Sequence, residues 1–335
     1  MDPPVRLLPA RLNPPGLAAL PVHRRLHLLE PRTRKLRGST GEKGRGVTES
    51  LIFLVGHPLS HSLSPSMHNG VIARRKLPLR YVMFDLPPGT LPDFLRVVRT
   101  GNFLGGNVTI PYKEEAASLA DGMSEAVRVC GAANVLRVRS GRLHADNTDG
   151  RGLLAALAGA GWGRRFSRVV LLGAGGSARG IGYELARAGT REMVILNRTP
   201  LRAHAVAELL SRKFPRVTFS AGKLETREMA REFSGTDLIV QCTSLGLTAE
   251  WKTFPFEGVK KKTRFVDIVY QRGGTSLVRV LRRKGVPAMD GLPMLAHQAA
   301  LSFGAWTGIE VAGEEFLSHA RRELARRRPG RGIHA

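Results

Sequence analysis

Apolar residues in this 335-residue chain fall into short runs separated by glycine, proline and charge. "LIFLVG" (51–56) is a continuous apolar run of strand length stopped by Gly56, the pattern of a buried strand. The pattern then alternates: a helix over 65–75, a strand over 80–84, a helix over 90–100, and a strand in "GGNVTIPYK" (105–113). "RGLLAALAGAG" (151–161) reads as a helix closed by glycine. After it, "RVVLLGAGGSARGIGYELARAGTREMVILNRT" predicts a strand over 169–172, a glycine turn, a helix over 177–188 and a second strand at "MVIL". Further strands are expected at 217–219, 237–242, 264–269 and 286–289. Such alternation predicts an α/β chain with open, mostly parallel sheets covered by helices on both faces, divided into two domains near residue 150. Residues 1–48 are rich in Pro and Arg and show no sustained period of 2 or 3.6, so they read as a disordered basic leader. An organelle transit segment or a mis-assigned start would look the same. Residues 326–335 read as a basic tail.

Composition narrows the function classes. The 42% apolar fraction suffices for ordinary cores, and no apolar run approaches the roughly 20 residues that cross a bilayer. A cytoplasmic protein with no membrane partner is expected. Only Cys130 and Cys242 are present, without metal-ligand spacing, so both read as free thiols in a reducing compartment. The formal net charge of +25 invites a nucleic-acid reading. Its distribution argues against one: residues 1–50 carry ten Lys/Arg against four Asp/Glu, and 319–335 carry six Arg against one Glu. What remains is spread through the middle without aromatic interleaving, so no specific nucleic-acid partner is expected. His57, His61 and His68 crowd one Pro-containing segment with no carboxylate cluster nearby, and no metal is expected.

The glycine turn carries the first chemistry. Gly173, Ala174, Gly175, Gly176, Ser177 and Ala178 fit G-x-G-x-x-[G/A] directly after a strand and before a helix. That geometry brings backbone N–H groups and a helix N-terminus to a pyrophosphate. The second strand ends in Asn197-Arg198-Thr199, where an acidic residue would hold the ribose 2′-hydroxyl of NAD. Arg198 stands there instead, with Arg202 four residues on. Guanidinium groups suit a 2′-phosphate, which favours NADP over NAD. A hydride enzyme also needs a proton donor or acceptor, and Lys113 with a carboxylate from "HADNTDG" is a candidate pair, Asp146 being taken as the partner. Spacing alone leaves a surface lysine and a turn aspartate as alternatives.

"GHPLSHSLSPSMHN" (56–69), "GNVTIPYK" (106–113), "GAANVL" (131–136), "DNTDG" (146–150), "GAGGSARG" (173–180), "NRT" (197–199) and "MLAHQAA" (294–300) together resemble the signature blocks of the shikimate dehydrogenase family, in order and spacing, over about residues 51–318. The resemblance implies a two-domain α/β fold. An N-terminal α/β substrate domain (49–150, completed by 292–325) would flank a Rossmann-type doubly wound NADP-binding domain (151–291). It also implies reversible NADPH-dependent reduction of 3-dehydroshikimate to shikimate, in chorismate and aromatic amino-acid biosynthesis. Carried over residue by residue, Lys113 is the acid/base and Asp146 its partner. Ser62 and Ser64 hold the substrate carboxylate, with Tyr270 closing over it. Asn107, Thr109, Asn134 and Gln298 read the ring. Gly173, Ala174, Gly175, Gly176, Ser177, Ala178, Asn197, Arg198, Thr199, Arg202, Thr243 and Gly291 bind the cofactor. The protein would act as a monomer or homodimer.

Two departures stand out: Gln241-Cys242-Thr243-Ser244 replaces the family's Asn-Ala-Thr turn, and Gln271 replaces a common proline, which predicts a looser loop around Tyr270. The alternatives are a quinate/shikimate enzyme with relaxed cofactor choice, or an inactive paralogue that binds polyanions.

Overall fold

The computed structural model describes residues 49–246, 251 and 253–327. The leader and most of the basic tail lie outside them. In chain order the first part contains β1 (Ser50–Gly56), α1 (Ser64–Arg74), β2 (Leu79–Asp85), α2 (Leu91–Thr100), β3 (Phe103–Val108), α3 (Lys113–Ser118), β4 (Gly122–Met123), α4 (Glu125–Cys130), β5 (Val135–Arg139) and β6 (Arg142–Asp146). Their strands form one sheet in the order β2-β1-β3-β5-β6-β4. β1 is parallel to β2 and β3, whereas β5 is antiparallel to both β3 and β6. The β5–β6 hairpin departs from the mostly parallel expectation. Its two-residue turn is Ser140-Gly141, both at positive φ (49° and 73°), the left-handed pair that matches the twist of a tight hairpin.

α5 (Asp149–Gly159) leads into the second part: β7 (Arg168–Leu172), α6 (Gly176–Arg187), β8 (Glu192–Asn197), α7 (Pro200–Lys213), β9 (Thr218–Lys223), α8 (Thr226–Phe233), β10 (Leu238–Gln241), β11 (Arg264–Asp267), α9 (Ser276–Arg283) and β12 (Ala288–Met289). All six strands are parallel in the order β12-β11-β10-β7-β8-β9. Read from the other edge, this is the 3-2-1-4-5-6 order of a dinucleotide-binding sheet, whose strand order reverses between β7 and β10. Near-continuous apolar runs such as Val169–Leu172 and Met193–Leu196 are buried on both faces, as parallel strands covered by helices must be.

The chain then returns. α10 (Leu292–Thr307) and α11 (Gly313–Arg326) close it, and Ala296, Ala299, Phe303, Trp306 and Phe316 share a core with Ile52, Leu54 and Val135 of the first sheet. α5 packs its Leu153 and Leu157 into the other core, beside Val169 and Ile181. Gly152 of α5 lies so close to α10 that a Cβ there would come within 2.7 Å of Gln298. None of the described helices is long and apolar enough to cross a membrane.

Candidate active site

The strand in "GGNVTIPYK" stops at Val108. A turn closed by Tyr112 N–H to the Thr109 carbonyl (2.9 Å) follows, so Lys113 opens α3 instead of ending a strand. This places its ammonium inward: the Lys113 side chain is 10% exposed and Nζ donates to the Asp149 carboxylate. The same nitrogen donates to Ser177 Oγ at 3.0 Å, in the glycine turn of the second sheet. One amino group thus touches both halves of the molecule.

The partner is Asp149, not Asp146, which corrects the reading from sequence. Asp146 ends β6, and its carboxylate accepts from Arg151 (2.6 Å) and from the Asn147 N–H (2.8 Å). Three residues on, Asp149 is the first residue of α5, with its backbone N–H capped by Asn147 Oδ1 at 3.0 Å. A helix N-terminus stabilises a carboxylate, and Asp149 is turned into the protein with a 6% exposed side chain. Its other oxygen accepts from Asn134 Nδ2 at 2.8 Å. "DNTDG" contains both aspartates; what separates them is that the first ends β6 and the second opens α5.

Asn134 is the hub of the network. It also donates to Gln298 Oε1 (3.1 Å) and Thr148 Oγ1 (2.9 Å), and accepts from the Thr148 N–H (2.7 Å). Gln298 reaches it from α10, and Ser302 joins through Thr148 Oγ1 (3.3 Å). Thr148 lies inside "DNTDG" but was given no role from sequence, and Ser302 belongs to no motif that would mark it. Asn107 is buried; it accepts from the Tyr81 hydroxyl (2.8 Å) and donates to the Asn134 carbonyl (3.1 Å) and Ser302 Oγ (3.2 Å). Its amide therefore braces Asn134. The Thr109 methyl packs against Gly56, where a Cβ would approach to 2.4 Å.

Ser62 and Ser64 lie in and just after the loop joining β1 to α1, the Ser64 N–H donating to Ser62 Oγ at 3.2 Å. Tyr270 packs against the core that holds Leu59 and Leu63 of this loop, and burial raises its pKa. Gln271, expected to loosen the Tyr270 loop, has its side chain tied down. Its Nε2 donates to the Gly246 carbonyl at 2.8 Å, a tether that proline lacks. Buried Gln241 likewise fastens its turn, donating to the Leu245 carbonyl (2.9 Å) and accepting from the Thr243 N–H. Cys242 follows; burial, with Asp149 and Asp267 nearby, raises its thiol pKa. Both cysteines are free.

The glycine turn sits at the C-terminal end of β7, beside the turn after β10, at the reversal of strand order. Gly173 has φ +114° and would strain any side chain; a Cβ there would also meet the Cys242 backbone at 3.1 Å and Thr243 Cγ2 at 3.2 Å. A Cβ on Gly175 would meet nothing within 4 Å, so its backbone borders open space that a ligand can enter. Gly176 is different: a Cβ would lie 2.8 Å from Lys113 Cβ. Ala178 is buried against the sheet. Arg198 is exposed and, among the described residues, makes no hydrogen bond or ion pair. Arg202 makes only a 3.4 Å contact with Glu114. Asn197 Nδ2 donates to the Thr199 carbonyl at 3.0 Å. Gly291 caps α10 so close to the Ile268 carbonyl that no side chain fits. An open backbone cradle at the strand reversal, with a free guanidinium at the end of β8, fits a dinucleotide carrying an extra phosphate.

His57 pairs with Asp85 (2.7 Å) and His68 lies in an aromatic core, and no group of His, Cys, Asp and Glu suited to a metal occurs among the described residues.

Comparison with known proteins agrees with this geometry. Residues 54–136 match the shikimate dehydrogenase substrate binding domain, and 162–280 match the shikimate / quinate 5-dehydrogenase family. The chain is 41% identical to the shikimate dehydrogenase (NADP(+)) of Methylobacterium radiotolerans over 76% of its own length and 90% of the relative's. Among solved structures it resembles the shikimate 5-dehydrogenase of Thermus thermophilus in complex with NADP(H) and shikimate (TM-score 0.71, 34% identity, 82% of this chain and 100% of the other). It also resembles the quinate dehydrogenase of Corynebacterium glutamicum in complex with NAD (TM-score 0.74, 25% identity, 82% and 99%). With both halves matched and the relatives spanned nearly end to end, the chain belongs to the shikimate dehydrogenase family.

Proposed function

We propose that this protein is an NADP-dependent shikimate dehydrogenase, reversibly reducing 3-dehydroshikimate to shikimate on the route to aromatic amino acids. The observation that carries this reading is Lys113 Nζ, held between a buried carboxylate and a hydroxyl of the glycine turn. When bound, the nicotinamide supplies or accepts the hydride. Lys113 donates the proton that the developing alkoxide needs, and takes it back in the reverse direction. Asp149 keeps that ammonium oriented and presents an acceptor to a ring hydroxyl. Asn134, Gln298 and Thr109 complete a pocket of neutral donors and acceptors, with Asn107 bracing it. A site that bonds each hydroxyl rejects an analogue lacking one, because its own buried groups would be left unpaired. Ser62, Ser64 and Tyr270 hold the carboxylate.

Residues 173–178, Thr243 and Gly291 line the cofactor cleft, with Asn197, Arg198, Thr199 and Arg202 on the 2′-phosphate side. Arg198 supports NADP over NAD. We place the enzyme in the cytoplasm, as a monomer or homodimer; the two free cysteines support a reducing compartment.

The test is a spectrophotometric comparison of shikimate and quinate, each with NADP⁺ and with NAD⁺. Shikimate with NADP⁺ should exceed every other pairing by at least about tenfold in kcat/KM, as expected of a site that pairs each polar group of its substrate. Equal rates with quinate, or a preference for NAD⁺, would replace this reading with the broader quinate/shikimate one.

A further inference from the structure

Arg327 is the first residue beyond α11. It lies past the family motifs, and nothing in the sequence marks it among its basic neighbours. Each of its three guanidinium nitrogens nonetheless donates a hydrogen bond. Nη1 donates to the His61 carbonyl at 2.8 Å and Nη2 to the Ser62 carbonyl at 2.9 Å, while Nε donates to Glu323 at 3.1 Å. The side chain is 34% exposed, so these bonds are partly shielded from water.

The two carbonyls belong to the loop between β1 and α1 that offers Ser62 and Ser64. The loop is tied at its start by His57 N–H to the Ile110 carbonyl (2.9 Å) and Leu59 N–H to Asp85 (3.0 Å), and at its end by Met67 N–H to the Leu63 carbonyl (3.1 Å). Ser62 N–H bonds the Leu59 carbonyl at 3.0 Å, and Leu63 is buried in the core against which Tyr270 packs. The peptide unit joining Ser62 to Leu63 is therefore held through its carbonyl by Arg327, next to the fully buried Leu63 side chain. A cation on the carbonyl polarises the peptide and strengthens its N–H as a donor. It also adds positive potential behind a site that must attract an anion.

We infer that Arg327 is a positioning residue for substrate-carboxylate recognition, holding the Ser62–Ser64 loop from behind. The inference rests on the shikimate dehydrogenase reading. It makes the end of the last helix part of the substrate site.

The test is steady-state kinetics of the full-length protein and of Arg327→Ala and Arg327→Lys, with thermal unfolding of each. Arg327→Ala should raise the shikimate KM on the order of tenfold, the scale set by losing charge-assisted hydrogen bonds. Its kcat should stay within about twofold and its KM for NADP⁺ unchanged, the pattern of lost ground-state binding. Arg327→Lys should fall between, because an ammonium keeps the charge but cannot fork to two carbonyls. An unchanged shikimate KM in the alanine variant would overturn the inference alone. So would parallel losses in kcat and both KM values with a lowered unfolding midpoint. If the alanine variant does not fold, the lysine variant decides by the same KM comparison. A wild-type protein that leaves shikimate untouched would overturn the functional reading, and this inference with it.

Discussion

A lysine and an aspartate removed from water must satisfy one another and their remaining polar atoms, or the cost of desolvation exceeds the attraction. Lys113 and Asp149 meet that demand: Ser177 Oγ accepts a second hydrogen bond from the ammonium, and Asn134 donates to the second carboxylate oxygen. Asp146 meets it differently, with Arg151, away from Lys113. The substitutions at these three positions should therefore separate. Lys113→Ala should cut kcat by roughly 10²–10⁴-fold, the usual contribution of an acid–base group. Asp149→Asn should cost about 10²-fold or more, by the same reasoning applied to the group that orients it. Asp146→Asn should stay within about threefold, as expected of a partly exposed ion pair. Turnover assays with an unfolding control decide; an Asp146 variant as damaged as the Asp149 variant would restore the earlier pairing. The motif "DNTDG" made the carboxylate legible, but choosing between its two aspartates required knowing where β6 ends and α5 begins.

Among the elements, the turn between β7 and α6 shows how a single motif serves two ends. Its glycines read from sequence as room for a pyrophosphate, which suits Gly173 and Gly175. Gly176 instead gives room to Lys113, whose Cβ would lie 2.8 Å from an added methyl, with Ala132 at 3.4 Å. Gly176→Ala should push Lys113 off its position. Because misplacement of about 1 Å can cost around 10²-fold, a fall in kcat of at least tenfold is expected. The KM for NADP⁺ should change less than kcat; the opposite split, with kcat preserved, would return Gly176 to a purely cofactor-binding role. The β5–β6 hairpin was legible in principle from Ser140-Gly141 between alternating residues, and the parallel reading of the chain passed over it.

For the molecule as a whole, the decisive event is the return of α10 and α11 to the first sheet. His68 sits in that joint, stacked on Tyr81 at 4.2 Å between ring centroids and faced by Phe303, Trp306 and Phe316. Neither ring nitrogen has a hydrogen-bond partner, and burial lowers its pKa from 6.5 to about 3. Between those values the unfolded chain binds a proton that the folded chain refuses. Stability is therefore unaffected by this group above pH 6.5 and falls as the pH drops below it, by about 1.4 kcal/mol per unit. His68→Phe, which keeps the ring, should flatten the loss between pH 7 and pH 5 by about 2 kcal/mol in urea unfolding. An unchanged pH dependence would show that the histidine charges without cost.

Local chemistry was settled by the chain alone. Apolar runs of strand length, glycines at a strand–helix turn, and an arginine in place of a carboxylate after the second strand are short-range features, governed by backbone sterics and by charge. They sufficed for the α/β class and the dinucleotide turn, whereas Lys113 was singled out by the family resemblance of its motif. Tertiary structure alone decided which carboxylate faces Lys113, which glycine yields to it, and which distant side chains grip the Ser62–Ser64 loop. Those choices depend on strand ends, helix starts and contacts between residues as far apart as 62 and 327. Such contacts are set by packing in three dimensions, and residue identity along the chain carries no record of them.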